Sequence, residues 1–104
     1  MPPRPLPLPS LSGKEVVILD LLQRSRAMYG LELVAASQGA LKRGTVYVTL
    51  SRMEQKGFVS SRLDDEPPAF GGLPRRLYRA TAIGREVHAA AVALRKRLVP
   101  RFAR

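Results

Sequence analysis

Cysteine and tryptophan are both missing from these 104 residues, and histidine occurs once, as His88. Without thiols there can be no disulfide, no zinc finger and no thiol nucleophile, and the chain suits a reducing compartment, so a cytoplasmic location is expected. A lone imidazole offers too few donors for a metal centre and finds no base–nucleophile partner. His88 is therefore expected on a helix surface or at an interface. No catalytic pair and no phosphate-cradling glycine loop is visible, which argues against an enzyme; no cofactor and no metal is expected. Six aromatic residues in all leave no sign of a flat-aromatic ligand cage. No apolar run reaches the roughly eighteen residues of a membrane span. Prolines interrupt the N-terminus, so a secretory h-region is not expected either.

Acidic residues are also scarce. Eight Asp and Glu face eighteen Lys and Arg, giving a net charge of +10. Residues 67–104 hold nine of the eighteen basic side chains and a single carboxylate, Glu86. Such a field attracts polyanions, of which nucleic acid is the commonest in a cytoplasm. Charge alone does not separate DNA from RNA or anionic lipid; the order of elements must do that. The hydrophobic fraction of 45% and charged fraction of 25% are those of an ordinary globular protein, and the length fits one domain.

Residues 2–9 contain five of the nine prolines. Proline fixes φ and lacks an N–H, so residues 1–10 are expected to form a flexible arm. Ser12-Gly13-Lys14-Glu15 has the spacing of a capping box and predicts a helix over 13–25. Val16, Val17, Ile18, Leu19, Leu21 and Leu22 surround that helix, so it must be covered on two sides. Ala27 to Gly30 break the pattern, and a short second helix is predicted to follow, to about Ser37, with Leu31, Val34 and Ala35 at helical spacing. A third runs from Thr45 to Lys56, with Val46, Leu50 and Met53 as its inward stripe and Gly57 as its stop. Phe58 to Leu63 suits a strand, Asp64 to Pro74 a loop, and Arg75 to Thr81 a returning strand. In that strand Leu77 and Arg79 should face one side, Arg76 and Tyr78 the other. A last helix is expected from Ala82 to about Val99, ended by Pro100.

Three helices followed by a two-stranded hairpin and a long helix make a mainly α (α+β) fold, a winged helix-turn-helix with a two-stranded wing. The expected division is an arm over 1–10, a DNA-binding domain over 11–81, and a dimerisation helix with a basic tail over 82–104. Ile83, Val87, Ala91, Leu94 and Leu98 form a stripe too long to hide beneath so small a domain. With Val17 and Leu21 of the first helix it is read as a homodimer seam; a core stripe or a membrane-surface helix using Arg95, Lys96 and Arg97 are the alternatives.

Steps of 100° on the third helix put Thr45, Val48, Arg52 and Gln55 opposite the inward stripe. Thr45 and Val48 are short enough to meet thymine methyls, and Arg52 can reach a guanine edge or a phosphate. Thr49 lies at one edge and Tyr47 at the other; Tyr47 can either donate to a phosphate or pack its ring at the core edge. Lys42 and Arg43 precede the helix, where free N–H groups favour phosphate. Arg75 and Arg76, with Arg79, flank the wing and suit a minor groove or backbone. Against them, Asp64-Asp65-Glu66 sits at the other end of the same loop, either to repel phosphate or to bind the arginines internally.

Tyr29-Gly30-Leu31-Glu32-Leu33, the stretch Gly44 to Val59, and Arg76-Leu77-Tyr78-Arg79-Ala80-Thr81 with Gly84-Arg85 together resemble the PadR-like family of transcriptional regulators. The resemblance spans roughly residues 11–98. It differs at position 48, a valine where the family often has proline, and it is similar to the short branch with one C-terminal helix. The resemblance implies double-stranded DNA with a palindromic operator as partner, a homodimer, and repression released by a small-molecule effector or another signal. A winged helix used for protein or RNA contact in a larger assembly is the competing reading.

Overall fold

The computed structural model of the chain describes residues 11–64 and 75–102. Ser12 starts α1 (Gly13–Arg24) through the expected capping box: the Glu15 N–H donates to Ser12 Oγ at 3.2 Å and the Ser12 N–H donates to Glu15 Oε1 at 2.9 Å. Then follow β1 (Met28–Tyr29), α2 (Gly30–Ala36), α3 (Arg43–Gln55), β2 (Val59–Leu63), β3 (Arg76–Ala80) and α4 (Ala82–Phe102).

The expected order holds with one addition. The sheet has three antiparallel strands in the order β1-β3-β2, not two. β3 is central: Ala80 pairs with Val59 and Arg76 with Leu63 on one side, while Tyr78 pairs with Met28 and Leu77 with Tyr29 on the other. A two-residue strand carries no alternating pattern to read, yet it occupies the edge that β3 would otherwise leave open.

The core gathers Ile18, Leu19 and Leu22 of α1, Leu33 of α2, Val46, Leu50 and Met53 of α3, and Phe58, Val59, Tyr78 and Ala80 from the sheet region. Burying side chains of this size is worth roughly 1.5–3 kcal/mol each. Tyr78 and Ala80 are buried while Arg79 faces out, the alternation expected of β3. In α2 the phase differs from expectation. Leu33 is buried and Leu31 is 44% exposed, and Ala35 is exposed; α2 packs against α3, and in this orientation Leu33 is the side chain that reaches the core.

α3 begins at Arg43, two residues before the expected Thr45, with Lys42 as an N-cap whose side chain makes no cap bond. Neither lysine nor arginine is a favoured cap, so nothing local announced the start. Its end is as expected. Gly57, at φ +82°, follows the C-cap, and the Gly57 and Phe58 N–H groups donate to the Glu54 and Met53 carbonyls at 3.0 and 2.9 Å. These two bonds form a Schellman motif and aim the chain into β2. α4 continues to Phe102, past Pro100. A proline costs a helix one intrahelical bond and crowds the carbonyl four residues earlier, which can kink a helix without ending it.

α4 is anchored where it leaves β3. The Thr81 N–H donates to the Phe58 carbonyl at 3.0 Å, and Thr81 Oγ1 donates to the Gly57 carbonyl at 2.5 Å while accepting from the Gly84 N–H at 3.0 Å. Gly84 is pressed onto the same turn: a Cβ there would lie 2.0 Å from the Phe58 carbonyl oxygen. An alanine inside a helix normally stabilises by about 1 kcal/mol relative to glycine. Here the sign should reverse. We expect Gly84→Ala to lower stability by about 1–3 kcal/mol in urea unfolding, as overpacking does; a variant as stable as the parent would contradict this contact.

Candidate nucleic-acid interface

The inward stripe of α3 is fully buried: Val46, Leu50 and Met53 are at most 1% exposed. Geometry then turns Thr45, Val48, Arg52 and Gln55 outward, and all four are exposed. Thr49 lies at an edge, half-buried, its hydroxyl donating to the Thr45 carbonyl at 3.2 Å. A groove of about 460 Å³ runs between this face and the start of α1, lined by Lys14, Thr45, Val48, Arg52 and Lys56 among others. Lys42 and Arg43 are exposed at the N-terminus of α3, whose first turn contains no acid. Positive charge there opposes the helix dipole, a local cost that leaves this end suited to an anion.

The single acid of α3, Glu54, is turned away from that face. Its carboxylate accepts from the Ser61 N–H at 3.1 Å and from Ser61 Oγ at 2.9 Å. Ser61 Oγ in turn accepts from Arg76 Nη1 at 3.2 Å. Arg76 is thus steered along β2 while remaining exposed.

Tyr47 stands at the other edge of α3. Its ring packs over Gly30, where an added Cβ would fall 2.6 Å from Cε1, and the residue stays about half exposed at 48%. Of the two readings left open for Tyr47, packing at the core edge is observed for the ring.

At the root of the wing, the Tyr29 hydroxyl donates to Asp64 Oδ2 and the Arg75 guanidinium lies over the Tyr29 ring, 4.1 Å from its centroid. The Asp64 N–H donates to the Arg75 carbonyl at 2.8 Å. The hydrogen bond to Asp64, then burial and the Asp64 charge, push the Tyr29 phenol above its ordinary pKa, with Arg75 opposing. Asp65 and Glu66 lie outside the described residues, as does the arm over 1–10.

Glu15 is buried and pairs with Lys56 across the α1–α3 junction at 2.9 Å. Burial alone would raise its carboxyl pKa. The Ser12 backbone N–H and Lys56 outweigh this and hold it below the ordinary value of 4.5. Lys56 also lies 5.9 Å from the Phe58 ring centroid.

His88 is not on the surface. It is buried where α4 meets α1, its Nε2 3.6 Å from Asp20 Oδ1 and without a hydrogen-bond partner among the described residues. Asp20 pairs with Arg24 at 3.2 Å. Of the residues expected at a dimer seam, Ile83, Leu94 and Leu98 are 56, 53 and 43% exposed. Val17, Leu21 and Val87 pack partly against the core, and Ala91 is half-buried along the α1–α4 groove. Among the described residues no group of His, Asp and Glu could hold a metal ion, and no helix is long and apolar enough to cross a membrane.

Three helices whose third is clamped by its inward stripe, followed by a hairpin and an anchored fourth helix, define the winged helix-turn-helix class. A family model described as "Transcriptional regulator PadR-like family" matches residues 18–90, and the chain belongs to that family. The family consists of DNA-binding transcription regulators rather than enzymes. The chain is similar to a PadR family transcription regulator from Clostridium difficile, with 25% identity over 89% of this chain and 100% of that one, and a TM-score of 0.69. It is also similar to a PadR family transcriptional regulator from Eggerthella lenta, with 26% identity, 82% and 76% coverage and a TM-score of 0.65. It shares its fold with the PcaV transcriptional regulator from Streptomyces coelicolor, solved with its natural ligand: 20% identity, 89% and 62% coverage, TM-score 0.70. A comparison with curated proteins finds no match.

The Glu15–Lys56 pair yields a pH prediction with a definite sign. A carboxylate whose folded pKa is depressed adds stability that is whole above the unfolded pKa, near 4.5, and is lost as pH falls through the folded value. Glu15→Gln should therefore cost about 1 kcal/mol at neutral pH and progressively less as the solution is acidified below about pH 4. Urea midpoints at several pH values measure this, and a cost independent of pH would contradict it.

Proposed function

We propose that this regulator is a homodimeric repressor that reads a palindromic operator in duplex DNA, with α3 in the major groove. One observation carries the reading: the outward face of α3 has no carboxylate, and Lys42, Arg43, Arg75 and Arg76 are all exposed around it. In this account Thr45 and Val48 meet thymine methyls, Arg52 reads a guanine edge, and Thr49 supports them from the groove side. Lys42, Arg43 and the exposed part of Tyr47 contact phosphates, and Arg75 and Arg76 reach the adjacent minor groove or backbone. Residues 11–81 act as the DNA-binding domain and residues 82–104 as the dimerisation segment.

The exposed Ile83, Leu94 and Leu98 support a two-fold seam on α4, bordered by Val17, Leu21, Val87 and Ala91. A dimer places two copies of α3 on successive turns of the duplex. Because the PcaV regulator was solved with its natural ligand, we assign release of the operator to a small molecule or a comparable signal.

Two measurements test the reading. In fluorescence anisotropy, Arg52→Ala should weaken operator binding more than binding to random duplex, by about 1–3 kcal/mol for a bidentate guanine contact. Arg76→Ala should weaken both by similar amounts and lower the salt slope by about one unit. Equal losses for both variants on both duplexes would reduce Arg52 to a phosphate contact. Leu94→Asp should place unpaired charge in the seam at a cost of several kcal/mol of dimer stability. A folded wild-type monomer at micromolar concentration in light scattering would refute the dimer.

A further inference from the structure

We propose that Tyr29 is a positioning residue that sets where the Arg75 guanidinium stands relative to α3, and that its effect on DNA affinity acts through Arg75. The inference rests on the duplex-binding reading above and extends it to a residue that does not itself face outward from α3.

Tyr29 is held to both parts of the binding face. Its backbone pairs with Leu77 of β3, its hydroxyl reaches Asp64 at the end of β2, and its ring lies beneath Arg75 at 4.1 Å. The next residue, Gly30, is the one on which the Tyr47 ring of α3 rests. One short segment therefore joins the wing root to the third helix. An exposed arginine with nothing to stack on samples many rotamers, whereas a ring beneath the guanidinium confines it to a plane while leaving its N–H donors at the edge free for an anion. The phenol does a second thing. By donating to Asp64 it occupies a carboxylate that stands beside Arg75 across the wing root, where the two backbones are bonded at 2.8 Å. The phenol's bond to Asp64 also anchors the ring beneath the guanidinium, so that loss of the phenol loosens the stack.

The test is a double-mutant cycle on operator binding with Tyr29→Leu, which removes the ring, and Arg75→Ala. Tyr29→Leu alone should weaken binding about two- to fivefold, the scale of an exposed cation–π contact, and should have no further effect once Arg75 is alanine. Tyr29→Phe keeps the ring and loses only the phenol. It should give a smaller loss that also vanishes in the Arg75→Ala background, and it provides the cycle should the leucine variant fail to fold. A purely structural Tyr29 would lower the thermal midpoint and weaken binding equally in both backgrounds. Such an additive cycle, or wild-type affinity in both Tyr29 variants, overturns the proposal alone. Absence of duplex binding by the wild-type chain would instead overturn the functional reading, and this proposal with it.

Discussion

Burying Val46, Leu50 and Met53 decides which way every other side chain of α3 points. The three residues sit in a core built from α1, α2 and the sheet, and a helix of period 3.6 so fixed has no rotational freedom left. Thr45, Val48 and Arg52 face solvent as a consequence, whatever their own preferences. A valine exposed at 54% is unremarkable singly; on this face it forms an apolar step between polar neighbours. The Schellman turn at Gly57 and the Thr81 latch then tie the end of α3 to both β2 and α4. The outward face is thereby set at a fixed angle to the wing and to the C-terminal helix.

Electrostatics follow from the same frame. Among the described residues four carboxylates border the α3–wing side, and each is engaged internally: Glu15 with Ser12 and Lys56, Glu32 with the Tyr29 N–H, Glu54 with Ser61, Asp64 with Tyr29. The nearby cations Lys42, Arg43, Arg52, Arg75 and Arg76 are exposed. The net charge of +10 is thus sorted by side-chain geometry as well as by composition. An anion approaching α3 meets donors, while the acids are turned into bonds that also brace the helices. Such bracing lets one set of contacts serve both fold and field.

The parts of this architecture that repeat with a period were legible in the sequence. The stripes of α1 and α3, the capping box at Ser12, the stop at Gly57 and the alternation in β3 each follow from local spacing. What was not legible is non-local or too short to have a period. β1 is two residues long. The Tyr29–Asp64 and Glu15–Lys56 pairs join positions 35 and 41 residues apart. The phase of α2 was set by its packing partner rather than by Leu31 and Ala35. Burial of His88 depended on how α4 lies against α1, which no composition rule contains. For the candidate site this meant that the outward residues of α3 could be named from periodicity, while the bracing beneath them could not.

The central claim is that two copies of α3 read one duplex. Hydroxyl-radical footprinting of the wild-type chain on the DNA upstream of its own coding sequence tests it most directly. The account predicts two protected patches related by a two-fold axis, their centres about 34–36 Å or a multiple of that apart along the duplex. No protection, or a single asymmetric patch, would contradict it.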